Sequence, residues 1–194
     1  TMHLQVPMLQ PQFRSHVITR RDANEAVSEL ASAGKVFDLA YLDPPYGSNN
    51  EKMPPSRVRY ASYYHIWTTV IRNDHPEVFG AARRRADSRD ELAASKYEEF
   101  RRSERGTFIA LETLADLIER VPAKHVLLSY SSGGRATFDQ LIETLSSSGE
   151  IVEMAEIDYK RNVMATMRWT NQWVPEIESK HFEYLFLLRK RDFV

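Results

Sequence analysis

The chain has 194 residues, with 26 Lys and Arg against 27 Asp and Glu and a formal net charge of −1. That length suits one domain with a sizeable core, and the neutral balance excludes binding to nucleic acid by bulk positive charge, so any phosphate contact must come from the distribution of charge. The absence of cysteine excludes disulfides and thiolate metal sites. With no long apolar run and no signal-like start, the chain reads as a soluble, cytoplasmic globular protein.

In chain order, His16 to Thr19 reads as a short strand, and Ala23 to Ser32 as a helix stopped by Gly34. Asp22 stands just before that helix with Glu25 three residues on, the pattern of a capping box. Val36 to Leu42 is an apolar run bounded by turn signals, the form of a buried parallel strand. It ends in Asp43-Pro44-Pro45-Tyr46, then Gly47. Two prolines cannot continue a central strand, so the chain leaves the sheet there. The carboxyl ends of strands are where open α/β sheets bind ligands.

Residues 48–62 make a connection too long to be ordinary. This segment reads as a lid or substrate-facing loop with Lys52, Arg57 and Arg59 as phosphate contacts, or as a merely solvated loop. A helix follows over Tyr63 to Arg72, stopped by Asn73-Asp74-His75-Pro76. Residues 81–105 form a charged insertion of interleaved signs, read as a solvated helical face. The exception is Arg83-Arg84-Arg85, a candidate for backbone phosphates. Thr107 to Arg120 places Phe108, Leu111, Leu114, Leu117 and Ile118 at helical spacing.

A strand over Val126 to Tyr130 comes next, and Ser129-Tyr130-Ser131 at its polar end either line a pocket or simply end the strand. Phe138, Leu141, Ile142 and Leu145 mark a further helix ending at Ser146 to Gly149. Strands over Ile151 to Tyr159 and Glu183 to Arg189 flank a mixed loop in which Trp169 and Trp173 either join the core or stack on bases. The alternation argues for a layered α/β sheet in a single region, 1–194, with no repeat and no internal boundary.

The chemistry that suits the Asp43 to Tyr46 loop is methyl transfer to an amino group on a planar ring. Such an amine is a poor nucleophile because its lone pair is delocalised into the ring. Asp43 can accept one N–H and the Pro44 carbonyl, held by Pro45, the other, which frees the lone pair. Tyr46 can stack on the ring. A base inside a duplex must be flipped out to reach such a pocket. The competing structural reading is a strand followed by a proline turn whose Asp caps something. By composition, the tetrapeptide arises by accident in about one chain of this size per thousand.

On these residues the chain resembles the S-adenosylmethionine-dependent amino-methyltransferases, most closely the adenine-specific DNA methyltransferases of the Dam-like (D12) class. Arg21 to Glu25 with Ala26 to Leu30, Tyr63-Tyr64-His65 with Ile66 to Ile71, His125 to Ser131, and Tyr184 to Lys190 resemble further segments of that family in the same order. The resemblance runs from about residue 15 to 190 and implies a Rossmann-like sheet, mostly parallel with an antiparallel last strand. It implies S-adenosyl-L-methionine as cofactor, held by Asp22, Ala23, Asp43 and Tyr64. Catalysis falls to Asp43, Pro44, Pro45 and Tyr46, and substrate binding to Tyr46, Tyr159, Lys160 and Arg161 with Arg57 and Arg59. The implied partner is double-stranded DNA with a flipped adenine, in a restriction-modification setting, and His65 is a structural residue.

One departure is large. The family's Phe-x-Gly-x-Gly turn, which holds the cofactor's methionine end, is missing, and the only glycine pair is Gly133-Gly134. The expectation is a sheet whose N-terminal part is missing, to be supplied by a partner polypeptide or an N-terminal extension. A ribosomal-RNA amino-methyltransferase and a non-catalytic remnant that binds nucleic acid or a partner chain are the alternative readings.

Overall fold

A computed structural model describes residues 16–47, 59–89, 95–99, 101–158 and 182–193. Its central element is a four-stranded sheet of β1 (Phe37–Leu42), β4 (Ala123–Ser131), β5 (Gly149–Asp158) and β6 (Phe182–Lys190), in the order β1-β4-β6-β5. A separate hairpin pairs β2 (Val78–Phe79) with β3 (Arg84–Arg85). The α-helices are α1 (Ala23–Ser32), α2 (Tyr60–Tyr63), α3 (His65–Arg72), α4 (Ile109–Arg120) and α5 (Phe138–Ser148).

Local chemistry sets the helix ends. Asp22 Oδ1 accepts the Asn24 and Glu25 amides at 2.9 and 3.2 Å, satisfying two of the donors that open α1. Gly34, at φ +67, takes the left-handed turn that releases the chain after α1. Thr137 and Gln140 close a reciprocal capping box on α5. Asn73, at φ 48, ends α3.

The core lies where α4 and α5 meet the sheet. Leu114, Ile118, Val126, Leu128, Leu141, Leu145, Phe186 and Leu188 are 2 % exposed or less. Each such side chain contributes about 1.5–3 kcal/mol by leaving water. The helical spacing in 107–120 faces this core, as read.

Several expectations are corrected. Residues 16–19 form no strand, and Val17 and Ile18 are 87 % and 96 % exposed. A strand needs a ladder, and these residues have no pairing neighbour among the described ones. Val36 to Leu42 does hold a parallel strand, β1 against β4, but it is not buried. Among the described residues β1 is an edge, with Phe37, Leu39 and Tyr41 all exposed. In strand direction the sheet is mostly parallel with an antiparallel last strand, as read. β1, β4 and β5 share a direction and the last strand, β6, opposes them, but β6 sits between β4 and β5. Insertion there leaves one parallel ladder and two antiparallel ones.

A further correction is to 81–105. The described part is no solvated helix: it holds β3 and short 3-10 turns at Ala86–Ser88 and Lys96–Glu98, and it buries Arg85 and Glu98. Charges this buried need partners, and Arg85 finds Asp74 and Asp87. The helix read over Tyr63 to Arg72 is divided at Tyr64 into α2 and α3. No helix among the described residues is long and apolar enough to cross a membrane.

Candidate active site

The site stands where β1 and β4 end. Leu42 is in register with Leu128, so Asp43 leaves the sheet beside Ser129. β6 enters from the same end, with Glu183 paired to Ser131. Parallel strands thus bring a carboxylate loop, a hydroxyl-rich strand end and an incoming acid to one edge.

Asp43 is exposed, Pro44 is buried, and Pro45 and Tyr46 are half-buried. The Tyr46 hydroxyl stands 2.6 Å from Asp43 Oδ1 and 2.8 Å from Glu183 Oε1. One phenolic proton serves one acceptor at a time, so the hydroxyl alternates between the two carboxylates. Ser129 Oγ donates to the same Glu183 oxygen at 2.5 Å. Burial first, then the hydrogen bonds it donates to Asp43 and Glu183, pushes the Tyr46 phenol well above its usual value, so it stays a donor.

The loop after β4 clamps the tetrapeptide from behind. The Tyr46 carbonyl accepts the Arg135 amide at 2.8 Å and the Tyr130 hydroxyl at 3.3 Å. That hydroxyl in turn accepts the Ala136 amide at 3.1 Å. Gly134 fits because it lacks a side chain: a Cβ there would lie 2.5 Å from Tyr130 Cε1, 2.9 Å from the Ser131 carbonyl oxygen and 3.0 Å from Tyr46 Cβ. Gly134 therefore serves packing against the site loop.

Three tyrosine rings extend outward from the loop. Tyr46 meets Tyr60 edge-on at 6.4 Å, and Tyr60 stacks on Tyr64 at 5.4 Å and 22°. Tyr64 is exposed. The Tyr60 hydroxyl is pushed up to about 12, by burial and then by Tyr64, Asp43, Glu98 and Glu183. The Tyr60 amide donates to the buried Glu98 carboxylate at 2.8 Å. Arg59, just before it, is 7 % exposed, and its Nε and Nη1 have no hydrogen-bond partner among the described residues.

The structure thus brings Asp43, Tyr46 and Tyr64 into one cluster. Asp22 and Ala23 are tied to it indirectly. Asn24 bonds Asp116 and the Thr113 carbonyl on α4 and receives the Tyr97 hydroxyl, next to Glu98. No direct hydrogen bond among the described residues joins Asp22 or Ala23 to the loop. Arg59 is buried rather than displayed as a surface phosphate contact. Arg57, Tyr159, Lys160 and Arg161 lie outside the described residues, as do Lys52, Trp169 and Trp173. His65 is held below its usual value by burial, then by Arg84 and Arg85.

Sequence reasoning missed Glu183, Glu98 and Tyr60. Glu183 had a signal: it is the one carboxylate at the head of an apolar strand, and an antiparallel last strand must begin at the site edge. Two concavities, one lined by Gly149, Glu150 and Arg189 and the other by Lys35, Val36 and Phe193, lie at the opposite end of the strands.

Among curated proteins the chain is similar to modification methylases. It is 28 % identical over 142 residues to "Modification methylase StsI" of Streptococcus sanguinis, covering 72 % of this chain and 18 % of that protein. It is 28 % identical over 123 residues to "Modification methylase LlaI" of Lactococcus lactis subsp. lactis, covering 63 % and 16 %. With "Type II methyltransferase M.FokI" of Planomicrobium okeanokoites it shares 29 % over 171 residues, covering 87 % and 23 %. The chain spans less than a quarter of the length of these relatives. No family model matches the chain, and no solved structure matches it significantly.

Proposed function

We propose that the chain is the catalytic region of a DNA methyltransferase that methylates the exocyclic amine of an adenine flipped out of a duplex. The observation that carries this reading is the exposed Asp43 carboxylate at the carboxyl end of β1, hydrogen-bonded by the Tyr46 hydroxyl in a loop braced by Arg135, Tyr130 and Gly134. The relatives' names, modification methylases all, favour DNA over ribosomal RNA and a restriction-modification setting. An ordered carboxylate of this kind also speaks against a non-catalytic remnant.

Asp43 and the Pro44 carbonyl accept the two N–H bonds of the amine, which turns its lone pair toward the incoming methyl group. Tyr46 holds Asp43 in place and offers its ring to the base. Arg59, whose Nε and Nη1 find no partner among the described residues, is suited to an anionic group brought against it. As the nitrogen gains a methyl group it becomes an acidic ammonium and sheds a proton, so no strong base is needed.

S-adenosylmethionine would supply an electrophilic methyl group. The residues suit one end of it: Asp22 and Ala23 open α1 and Asp43 and Tyr64 lie on the same edge. They do not suit the methionine end, because these 194 residues hold no Gly-x-Gly, and a side chain would block close backbone approach. That part falls to an N-terminal extension or a partner polypeptide. The test is methyl transfer by the intact protein to an adenine-containing duplex, to the same duplex without adenine, and to RNA. Transfer to RNA or to the adenine-free duplex, but not to the adenine duplex, would overturn the reading.

A further inference from the structure

The reaction as proposed gives Glu183 no task, yet the geometry ties it to the reacting edge. Glu183 stands at the head of β6 with a ladder partner on each side, Ser131 of β4 and Ile157 of β5. Its carboxylate therefore projects from a backbone that two strands fix. The buried Ser129 donates its hydroxyl to Glu183 Oε1 at 2.5 Å. The same oxygen stands 2.8 Å from the Tyr46 hydroxyl, whose other neighbour, Asp43 Oδ1, lies at 2.6 Å. Asp43 is placed differently. It is exposed and on a loop, and among the described residues the Tyr46 hydroxyl is the one donor to its side chain.

Tyr46 itself has little freedom. Its carbonyl accepts the Arg135 amide at 2.8 Å, and its ring lies 5.0 Å from Tyr130 and 6.4 Å from Tyr60. What can turn is the phenolic hydrogen. It has two carboxylates within reach and serves one at a time. Turned to Asp43, it holds that carboxylate in place, while the Ser129 hydroxyl keeps Glu183 satisfied. Turned to Glu183, it leaves Asp43 Oδ1 with its full charge for an incoming N–H. The turn exchanges one charge-assisted hydrogen bond for another of the same kind, so it costs little. Without a second acceptor the phenol would stay on Asp43 and compete with the amine for the same oxygen.

We propose that Glu183 is a positioning residue for methyl transfer: it takes over the Tyr46 hydroxyl as the exocyclic amine reaches Asp43. The Asp43 carboxylate is thus held while it waits and released when it is filled. Glu183 acts through Tyr46 and not on the substrate. No proton changes owner in the exchange, because the O–H only rotates about the phenol C–O bond. Ser129 supports the same role by keeping the Glu183 carboxylate turned toward the phenol. The proposal rests on the methyl-transfer reading above.

The test is a double-mutant cycle in the intact protein, read by single-turnover methylation of an adenine duplex and by fluorescence anisotropy of duplex binding. Glu183→Met keeps the length of the side chain and removes the acceptor. It should slow methyl transfer by about tenfold, the lower end for a charge-assisted hydrogen bond because Asp43 is exposed, with duplex affinity unchanged. Tyr46→Phe/Glu183→Met should be no slower than Tyr46→Phe, because without a hydroxyl Glu183 has nothing to take over. Glu183→Gln, whose amide oxygen still accepts, should regain most of the rate. Losses that multiply in the double variant, to about a hundredfold, overturn the proposal. So does a Gln variant as slow as the Met variant, or a loss of duplex affinity that matches the loss of rate. Thermal melting of each variant separates slow chemistry from lost fold, and Glu183→Leu carries the same cycle if Glu183→Met melts below the assay temperature. Wild-type methylation of the adenine duplex upholds the function whichever way the cycle falls, and its absence overturns both.

Discussion

The Tyr46 hydroxyl lies 2.6 Å from Asp43 Oδ1 and 2.8 Å from Glu183 Oε1, so an aromatic ring and a carboxylate separated by two prolines act as one unit anchored to β6. The prolines fix the backbone between them, and the hydroxyl fixes the side chain. A carboxylate that is exposed yet held is what an acceptor for an amine requires, because little reorganisation is left for the moment of reaction.

Asp43→Ala should lower methyl transfer by about a hundredfold to a thousandfold, the usual cost of removing one preorganised hydrogen-bonding group. Folding should survive, since Asp43 is exposed and outside the core. Single-turnover methylation of an adenine duplex, alongside thermal melting, checks both. Near-wild-type turnover with a normal melt would remove Asp43 from the mechanism.

Tyr46 has two functions that substitution can separate. Ring loss in Tyr46→Ala removes packing on Tyr130, 5.0 Å away, and stacking on a base worth about 1–3 kcal/mol. Tyr46→Phe keeps the ring and removes the hydroxyl's hydrogen bond, shared between Asp43 and Glu183, a charge-assisted bond worth about 1.5–3 kcal/mol when fully shielded and less beside the exposed Asp43. The Phe variant should therefore lose about tenfold in rate at unchanged stability, and the Ala variant more, with a lower Tm. Equal rates for Phe and wild type would make the hydroxyl dispensable; equal loss in Phe and Ala would make the ring so.

Much of this was legible before any coordinates. Asp22 and Gly34 bracket α1 because caps and left-handed turns are local chemistry, and the Leu111, Leu114, Leu117, Ile118 spacing marks α4 for the same reason. The Asp43 loop announced itself through prolines that no strand can continue. What was not legible depends on distant neighbours. Whether β1 is central or an edge depends on which strands lie beside it, not on its own apolar run. Nothing local says which of Arg83, Arg84 and Arg85 turns inward, since that choice is made by Asp74, Asp87 and Thr69 together. Glu183 reaches Tyr46 across 137 residues of sequence, and only the antiparallel entry of β6 brings it there.

Gly134→Ala tests the clamp behind the tetrapeptide. The added methyl would meet the Ser131 backbone at 2.9 Å as well as two tyrosines, so the loop must shift. Overpacking of this kind costs about 1–3 kcal/mol, or about 2–10 °C in Tm for a chain of this size. Because the shift bears on the Tyr46 carbonyl, activity should fall as well. An active variant with unaltered Tm would mean the loop moves freely.

The hairpin should weaken with acid in two stages. Burial, then Arg84 and Arg85, lowers the His65 pKa, so the unfolded chain binds its proton first, and stability falls as pH drops below about 6.5. Hydrogen bonds from Arg85 hold Asp74 and Asp87 below the usual carboxylate range. Their contribution is complete above an unfolded value of about 4 and is lost as pH falls through the lower folded values. His65→Gln should flatten the first stage of a Tm-against-pH curve, and Asp74→Asn the second. Identical curves for both variants and the wild type would show that neither group titrates on unfolding.

Residues 1–194 alone should bind S-adenosylmethionine no more tightly than about 100 μM. They contain no Gly-x-Gly, the turn in which backbone approaches the cofactor's methionine end without a side chain intervening. Among the described residues β1 is paired on one side only, with Val36, Phe37, Leu39 and Tyr41 at 56 %, 43 %, 52 % and 58 % exposure. An apolar strand with a free ladder invites another strand, either from an N-terminal extension or from a partner. One added segment could thus cover the edge and bring the glycine turn. In isolation these residues should self-associate, and restoring the segment should restore both the monomer and the affinity. Calorimetry and light scattering on the two forms read these outcomes directly. Micromolar binding by a clean monomer of residues 1–194 would refute the prediction and shift the cofactor to another loop, with Ser131 to Arg135 next to Tyr46 the first to mutate.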